Sequence, residues 1–238
     1  MLIRRVPHPW RVTPQRAVAI QRRLAGQVRQ VRPAGAMRFV AGVDAASSAD
    51  DRCCLASVAV WDRARRVVVE SALAGSPIRF PYVPGLLSFR ETPAVLAALR
   101  KLRVEPDVIV CDAQGVAHPR RFGLACHVGV LCGRPTIGCA KSRLVGEHRE
   151  PGRRRGAHAP LRHAGEIIGS VLRTQDGTRP VYVSVGHLID LVTARRIVLA
   201  CAIRYRLPEP TRLADRLART GWRSACADVA SRLSAPGG

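Results

Sequence analysis

Four charged residues stand where packing alone does not explain them. Asp44 closes the apolar run Phe39-Val40-Ala41-Gly42-Val43, and Asp112 closes Val108-Ile109-Val110-Cys111. A carboxylate at the end of a buried strand is costly unless it faces a cleft or meets a cation. Glu91 is a third candidate acid. Each alone reads more readily as a turn former or a helix cap, but together they suit a metal site. Hard oxygen donors select Mg²⁺ or Mn²⁺, and ions bridged by carboxylates supply the activated water and stabilised leaving oxygen of phosphodiester hydrolysis. The fourth residue, Lys141, follows the apolar stretch Thr136 to Ala140. With Lys101 it is one of only two lysines in a chain that otherwise writes positive charge as arginine. An ammonium is a compact point charge suited to a phosphate or a leaving group; a surface lysine is the equal alternative. His118 and His187 sit in loops, where a lone histidine is more often structural than catalytic.

The elements that must hold these groups can be read from periodicity. Thr13 caps a first helix with Pro14 at its first position, and Ala17, Ile20, Leu24, Val28 and Val31 recur at helical spacing. Arg38 to Asp44, Cys54 to Trp61 and Arg66 to Ala72 read as three strands of an antiparallel meander, since their connections are short. Thr92 to Leu102 reads as a helix, Val108 to Cys111 as a strand, Phe122 to Cys132 as a helix and Thr136 to Ala140 as a strand. A strand at Val181 to Val185 precedes helices at Leu191 to Tyr205, capped by Asp190, and at Pro210 to Thr220. Arg32 to Ala36, Gly75 to Gly85 and Gly146 to Pro160 read as loops. Three antiparallel strands followed by alternating helices and strands indicate an α/β fold, a mixed sheet flanked by helices. Residues 1–238 are expected to form a single domain with a flexible tail after about residue 233.

The formal net charge is +22. Solubility needs far less, so a polyanionic partner is expected and nucleic acid is the default; an arginine-rich codon bias is the alternative. No stretch reads as a signal peptide or a membrane span, so a soluble, cytoplasmic protein without a membrane partner is expected. None of the eight cysteines makes a C-x-x-C pair, and they read as small buried hydrophobes in a reducing compartment.

Several runs carry a family resemblance from about Trp10 to Leu217. They are Ala41-Gly42-Val43-Asp44; Pro81-Tyr82-Val83-Pro84-Gly85-Leu86-Leu87-Ser88-Phe89-Arg90-Glu91; Ala117-His118-Pro119-Arg120-Arg121 with Gly123; Pro135-Thr136-Ile137-Gly138 with Ala140-Lys141; Gly186-His187; and Pro208-Glu209-Pro210-Thr211-Arg212. On these the chain resembles the endonuclease V family. The resemblance implies an RNase H-like fold and Mg²⁺-dependent cleavage, Mn²⁺ substituting. The expected target is nucleic acid containing inosine or other deaminated bases, in DNA or RNA. The cut falls on the 3′ side of the lesion, one bond removed, leaving 3′-hydroxyl and 5′-phosphate ends. It assigns Asp44, Glu91 and Asp112 to the metal, Asp215 as a fourth catalytic member and Lys141 to the scissile phosphate. Tyr82 becomes a wedge between bases, and Gly115 and Gly123 form a base pocket, with His118 and His187 in support. No obligate protein partner is implied. Read without the resemblance, Asp215 is a solvated helical acid. Two departures stand out: Ala113 replaces the usual glycine after Asp112, and Ala45-Ala46-Ser47-Ser48 lacks an aromatic often found there. A different RNase H-like structure-specific nuclease and a non-catalytic nucleic-acid binder are the competing readings. The Pro81 to Pro84 run argues against the first. Against the second, like charges are costly to keep close without a metal.

Overall fold

The strands order themselves around the short apolar segments that precede Asp112 and Lys141. In this computed structural model the described residues are 1, 3 and 5–220, so the tail after residue 233 lies outside them. The chain runs α1 (Pro14–Ala25), β1 (Phe39–Ser47), β2 (Cys53–Asp62), β3 (Val67–Pro77), α2 (Leu87–Arg100), β4 (Val108–Cys111), α3 (Leu124–Cys132), β5 (Thr136–Ala140), β6 (His158–His163), β7 (Glu166–Leu172), β8 (Val181–His187) and α4 (Leu191–Cys201). A further helix, α5, covers residues 209–220. The eight strands form one sheet in the order β3-β2-β1-β4-β5-β8-β7-β6. β1, β2 and β3 are the expected antiparallel meander, and β1, β4 and β5 run parallel. β8, β7 and β6 continue the sheet antiparallel.

Both faces of the sheet are covered. Ala41, Val43, Ile109 and Cys111 pack with Ala94, Val95 and Leu99 of α2 and with Val128 of α3. Val40, Val108, Val110, Ile137 and Cys139 pack on the other face, in the cluster that holds Ala17 of α1 and Val198 of α4. β2 is buried along its whole length, as a strand covered on both faces must be. Thr13 caps α1 by accepting from the Arg16 N–H at 3.3 Å, and Asp190 caps α4 by accepting from the Thr193 N–H at 2.8 Å. The described cysteines are all buried. No helix among the described residues is long and apolar enough to cross a membrane.

Three expectations are corrected. β1 does not stop at Asp44 but continues to Ser47, because β2 goes on pairing with it there. Asp44 instead marks the end of the parallel ladder, since the β1–β4 register finishes at Val43↔Cys111. α2 starts at Leu87, not Thr92. Pro93 suggests a helix start, yet it sits inside the helix, where its missing N–H costs one backbone bond. The polar stretch after Gly146 is not loop throughout: β6 and β7 form a hairpin. Ala164 and Gly165 at its tip both have positive φ, 53° and 81°, the left-handed pair that a two-residue hairpin turn needs.

Candidate active site

Strand parity brings the carboxylates together. Side chains two apart share a face, so Asp44 follows Val40 and Gly42 while Asp112 follows Val108 and Val110. Val43 and Cys111 are register partners, and the Asp112 N–H bonds to the Val43 carbonyl at 3.1 Å. The two aspartates therefore stand side by side where the parallel ladder of β1 and β4 ends, on the carboxyl side where open α/β sheets place their sites. Lys141, two residues beyond Cys139, shares their face, and its ammonium pairs with the Asp112 carboxylate.

Asp215 arrives from α5. Gly42 has no side chain, and a Cβ there would lie 2.0 Å from the Pro210 carbonyl carbon, so the start of α5 rests on the β1 backbone. Ser57, opposite Asp44, donates to the Ala214 carbonyl at 2.7 Å. This seating places Asp215 within electrostatic range of Asp44, although its direct partner is Arg219 at 3.1 Å. Glu91 comes from the first half of α2, beside Arg90. The buried Arg90 guanidinium turns away, to Ser47 at 2.8 Å and to Asp51.

The electrostatics are those of crowded acids. Burial, then Asp112, lifts the Asp44 carboxyl to about 6, although Lys141 opposes this. Burial, then Asp44, lifts Glu91 to about 8. Partial burial works against the Lys141 ammonium, but Asp112, Asp44 and Asp215 outweigh it and raise its pKa. No three His, Cys, Asp or Glu side chains among the described residues stand close enough to enclose an ion as they are placed; Asp112 is turned to Lys141. The chemistry of the donor set nevertheless fits a divalent cation. Its oxygens are hard donors, and the Asp44 and Glu91 carboxyls hold protons at pH values where exposed carboxylates have lost them.

A cleft of about 490 Å³ opens over Asp44, Asp112 and Lys141, lined also by Tyr82, Gln114 and His118 among others; Glu91 and Asp215 are not among its lining residues. Tyr82 is 70% exposed, although Phe80 and Phe89 beneath its loop are buried against each other. The loop is pinned at Gly85, whose carbonyl accepts from Gln21 Nε2 at 3.1 Å, His118 Nε2 at 2.9 Å and Arg120 Nη2 at 2.7 Å. That bond makes His118 Nε2 the protonated nitrogen, and Nδ1 accepts from the Arg120 N–H at 3.2 Å. Burial, then Arg120, lowers the His118 pKa to about 4. His118 is a neutral strut of the loop. His187 ends β8 and accepts from the Arg29 N–H at 3.3 Å; it is not among the cleft-lining residues.

Gly123 lines the cleft and Gly115 lies behind it. Their backbone groups are engaged within the protein. Gly123 donates to the Gly115 carbonyl at 3.0 Å, and Gly115 donates to Ser184 Oγ at 2.9 Å. A Cβ at Gly115 would meet the Val185 carbonyl oxygen at 2.0 Å, and one at Gly123 the Gln114 carbonyl oxygen at 2.3 Å. Both glycines let backbone segments close up behind the cleft. Ala113 is not among the residues with positive φ, so the alanine carries no left-handed strain.

Two cleft residues were not picked out from the sequence. Gln114 donates to the Ser142 carbonyl at 2.9 Å, and its buried Oε1 has no partner among the described residues. Nothing in its spacing marks it. Gln21 also accepts from Arg120 Nε at 2.6 Å. It lies on the buried face of α1 with Ala17, Ile20 and Leu24, and a polar residue on an apolar helix face is a signal that was available.

A mixed sheet that gathers acids and a lysine where its parallel ladder ends, with a cleft open above them, is the framework of an RNase H-like nuclease. The comparisons with known proteins name the family. The endonuclease V family model matches residues 22–216. The endonuclease V of Trichormus variabilis is 54% identical over 213 residues, 89% of this chain and 96% of the relative. The crystal structure of endonuclease V from Streptomyces avermitilis, 47% identical, superposes with a TM-score of 0.88 over 93% of this chain and 98% of its own. The Ciona intestinalis endonuclease V, crystallised with a 24-mer DNA containing an inosine followed by a ribo-adenosine, shares the fold. Its TM-score is 0.75 at 24% identity over 87% of this chain and 96% of its own. The chain belongs to the endonuclease V family, and it is an endonuclease.

Proposed function

We propose that this endonuclease acts in repair, recognising inosine and related deaminated bases in DNA. It hydrolyses the phosphodiester one bond removed on the 3′ side, leaving 3′-hydroxyl and 5′-phosphate ends. The observation that carries the reading is the pairing of Asp44 with Asp112 on one sheet face, with Glu91 and Lys141 beside them. Asp44, Glu91 and Asp112 would hold Mg²⁺, with Mn²⁺ able to substitute. The bound ion supplies an activated water and charge stabilisation at the leaving oxygen. Asp215 adds a fourth acid from α5. Lys141, half-exposed beside Asp112, offers its ammonium to the scissile phosphate. Tyr82 fills the gap left when the lesion leaves the stack. Extruding a base costs a few kcal/mol, and a stacked aromatic returns about 1–3 kcal/mol. The cleft beneath Tyr82 is large enough for a purine. Gly115 and Gly123 shape the wall of that base pocket, and His118 and His187 support it from behind.

The testing experiment compares matched DNA and RNA oligonucleotides, with and without one inosine, in Mg²⁺, Mn²⁺ or chelator. Nicking confined to inosine strands and abolished by chelator is expected. Equal cutting of inosine-free strands would point to a structure-specific nuclease. Binding without cutting in either metal would point to a non-catalytic binder.

A further inference from the structure

A second groove, of about 360 Å³, opens off the catalytic cleft and shares Lys141, Ser142 and Arg143 with it. No residue of the Tyr82 loop lines it, so it leaves the cleft on the Lys141 side. Its arginines are of two kinds. Arg173 is buried and spent on the floor. It pairs with Glu150 at 2.7 Å and donates to the carbonyls of Pro151 at 3.0 Å, Gly152 at 3.1 Å and Thr178. Arg206 ties the walls together, donating to the Lys141 carbonyl at 2.6 Å and the Pro180 carbonyl at 2.9 Å. Arg143 and Arg179 are different. Both are exposed, and neither makes a hydrogen bond or an ion pair with any described residue. Glu150, the one acid lining the groove among the described residues, is already neutralised by Arg173.

The groove is thus a concave surface with a surplus of uncommitted positive charge, and concavity focuses such a field. Guanidinium groups bind phosphate oxygens by paired, charge-assisted hydrogen bonds. Contacts of this kind fix register without reading sequence. We infer that this groove is a tracking site for the phosphodiester backbone of the cleaved strand on the 3′ side of the cut, with Arg179 as its outer phosphate contact. The direction rests on the function proposed above. If the lesion lies under Tyr82 and the cut falls to its 3′ side, the strand that passes Lys141 and leaves through the groove is the 3′ segment. The scissile phosphate is then gripped from a second point, which fixes its position over the carboxylates.

The test uses single-stranded inosine oligonucleotides with a fixed 5′ flank and a 3′ flank lengthened one nucleotide at a time. Binding is read by anisotropy without metal and KM is read in Mg²⁺. The variants are Arg179→Ala and Arg179→Glu, with Arg16→Ala, an exposed arginine on α1, as a control for net charge. The parent should gain affinity as the 3′ flank grows and then level off. Arg179→Ala should lose about fivefold of that gain, and Arg179→Glu more. Both variants should match the parent on strands ending just past the cut, with kcat held. The slope of log K against log salt should fall by about 0.7 on long single strands, whereas Arg16→Ala should follow the parent. An unchanged dependence on 3′ length in both variants would overturn the site, as would the same loss when the 5′ flank is lengthened instead. Failure of the parent to nick any inosine strand would sink the proposed function and leave the groove to be judged on oligothymidylate. There Arg179→Ala must still bind more weakly than Arg16→Ala, or the site is rejected.

Discussion

Glu91 shows how one residue reports what the site lacks. Burial first, and Asp44 second, hold its carboxyl near 8, well above the unfolded value near 4.5. Between those limits the native state binds more protons than the unfolded chain, so stability falls as pH rises through the window. Asp44 adds a narrower window, from about 3.8 to about 6. A divalent cation replaces the protons, so its stabilising effect should grow with pH. The melting temperature should rise more on adding Mg²⁺ at pH 8.5 than at pH 5.5; equal shifts would refute the linkage. Glu91→Gln should raise the metal-free melting temperature at pH 8.5 by about 2–4 °C and shrink the Mg²⁺ effect. Asp112→Asn keeps the shape and removes the charge, so it should abolish nicking while an inosine-strand band-shift survives. Near-normal nicking would sink the assignment. Asp44 and Asp112 were legible because each ends an apolar run whose parity can be counted. Asp215 was not, because its place depends on α5 resting on Gly42, a contact between residues far apart in the chain.

At the level of elements, the Tyr82 loop and the arginine-rich stretch before β6 behave oppositely. The first is exposed at its tip but fixed at its base, where one carbonyl takes three donors. Tyr82→Ala should therefore lose more activity on duplex inosine DNA than on a single strand, with little change in melting temperature. Tyr82→Phe should keep most activity. Equal losses on both substrates, or a large drop in melting temperature, would favour a core role for the tyrosine. In the second, Arg153, Arg154 and Arg155 read alike in sequence, yet Arg155 is structural. Its guanidinium closes the end of α4 by donating to the carbonyls of Leu199 at 2.7 Å, Ala202 at 2.7 Å and Thr174. Arg120 and Arg121 are likewise spent, on Gln21 and Gly85 and on Glu166 and His163. Arg155→Ala should cost about 1–2 kcal/mol, seen as a lower denaturation midpoint, whereas Arg153→Ala should leave stability unchanged. The meander, the parallel strands and most helices could be read from period and caps. The β6–β7 hairpin could not, because its turn is Ala-Gly where Asn-Gly or Asp-Gly would signal one and β7 shows no alternation, although the short β6 does alternate.

Over the whole molecule, a net charge of +22 is either a binding surface or codon bias, and salt distinguishes them. Each phosphate neutralised on duplex DNA contributes about −0.9 to the slope of log K against log salt, so a steep negative slope is expected and one near zero would leave the charge without a role. The exposed Arg143, Arg153 and Arg154 are the remaining candidates from the sequence, and the arginines that hold the fold together should not contribute. The seat of α5 on β1 has a consequence in time. Gly42 is synthesised well before Pro210, and the two backbones must touch for Asp215 to stand by Asp44. A nascent chain therefore carries Asp44, Glu91, Asp112 and Lys141 before Asp215 is added, and under the function proposed above nuclease competence waits on α5 leaving the ribosome. Gly42→Ala should unseat α5 from β1 and part Asp215 from Asp44, read as lost nicking with the inosine-strand band-shift kept; unchanged nicking would refute the proposed part of Asp215.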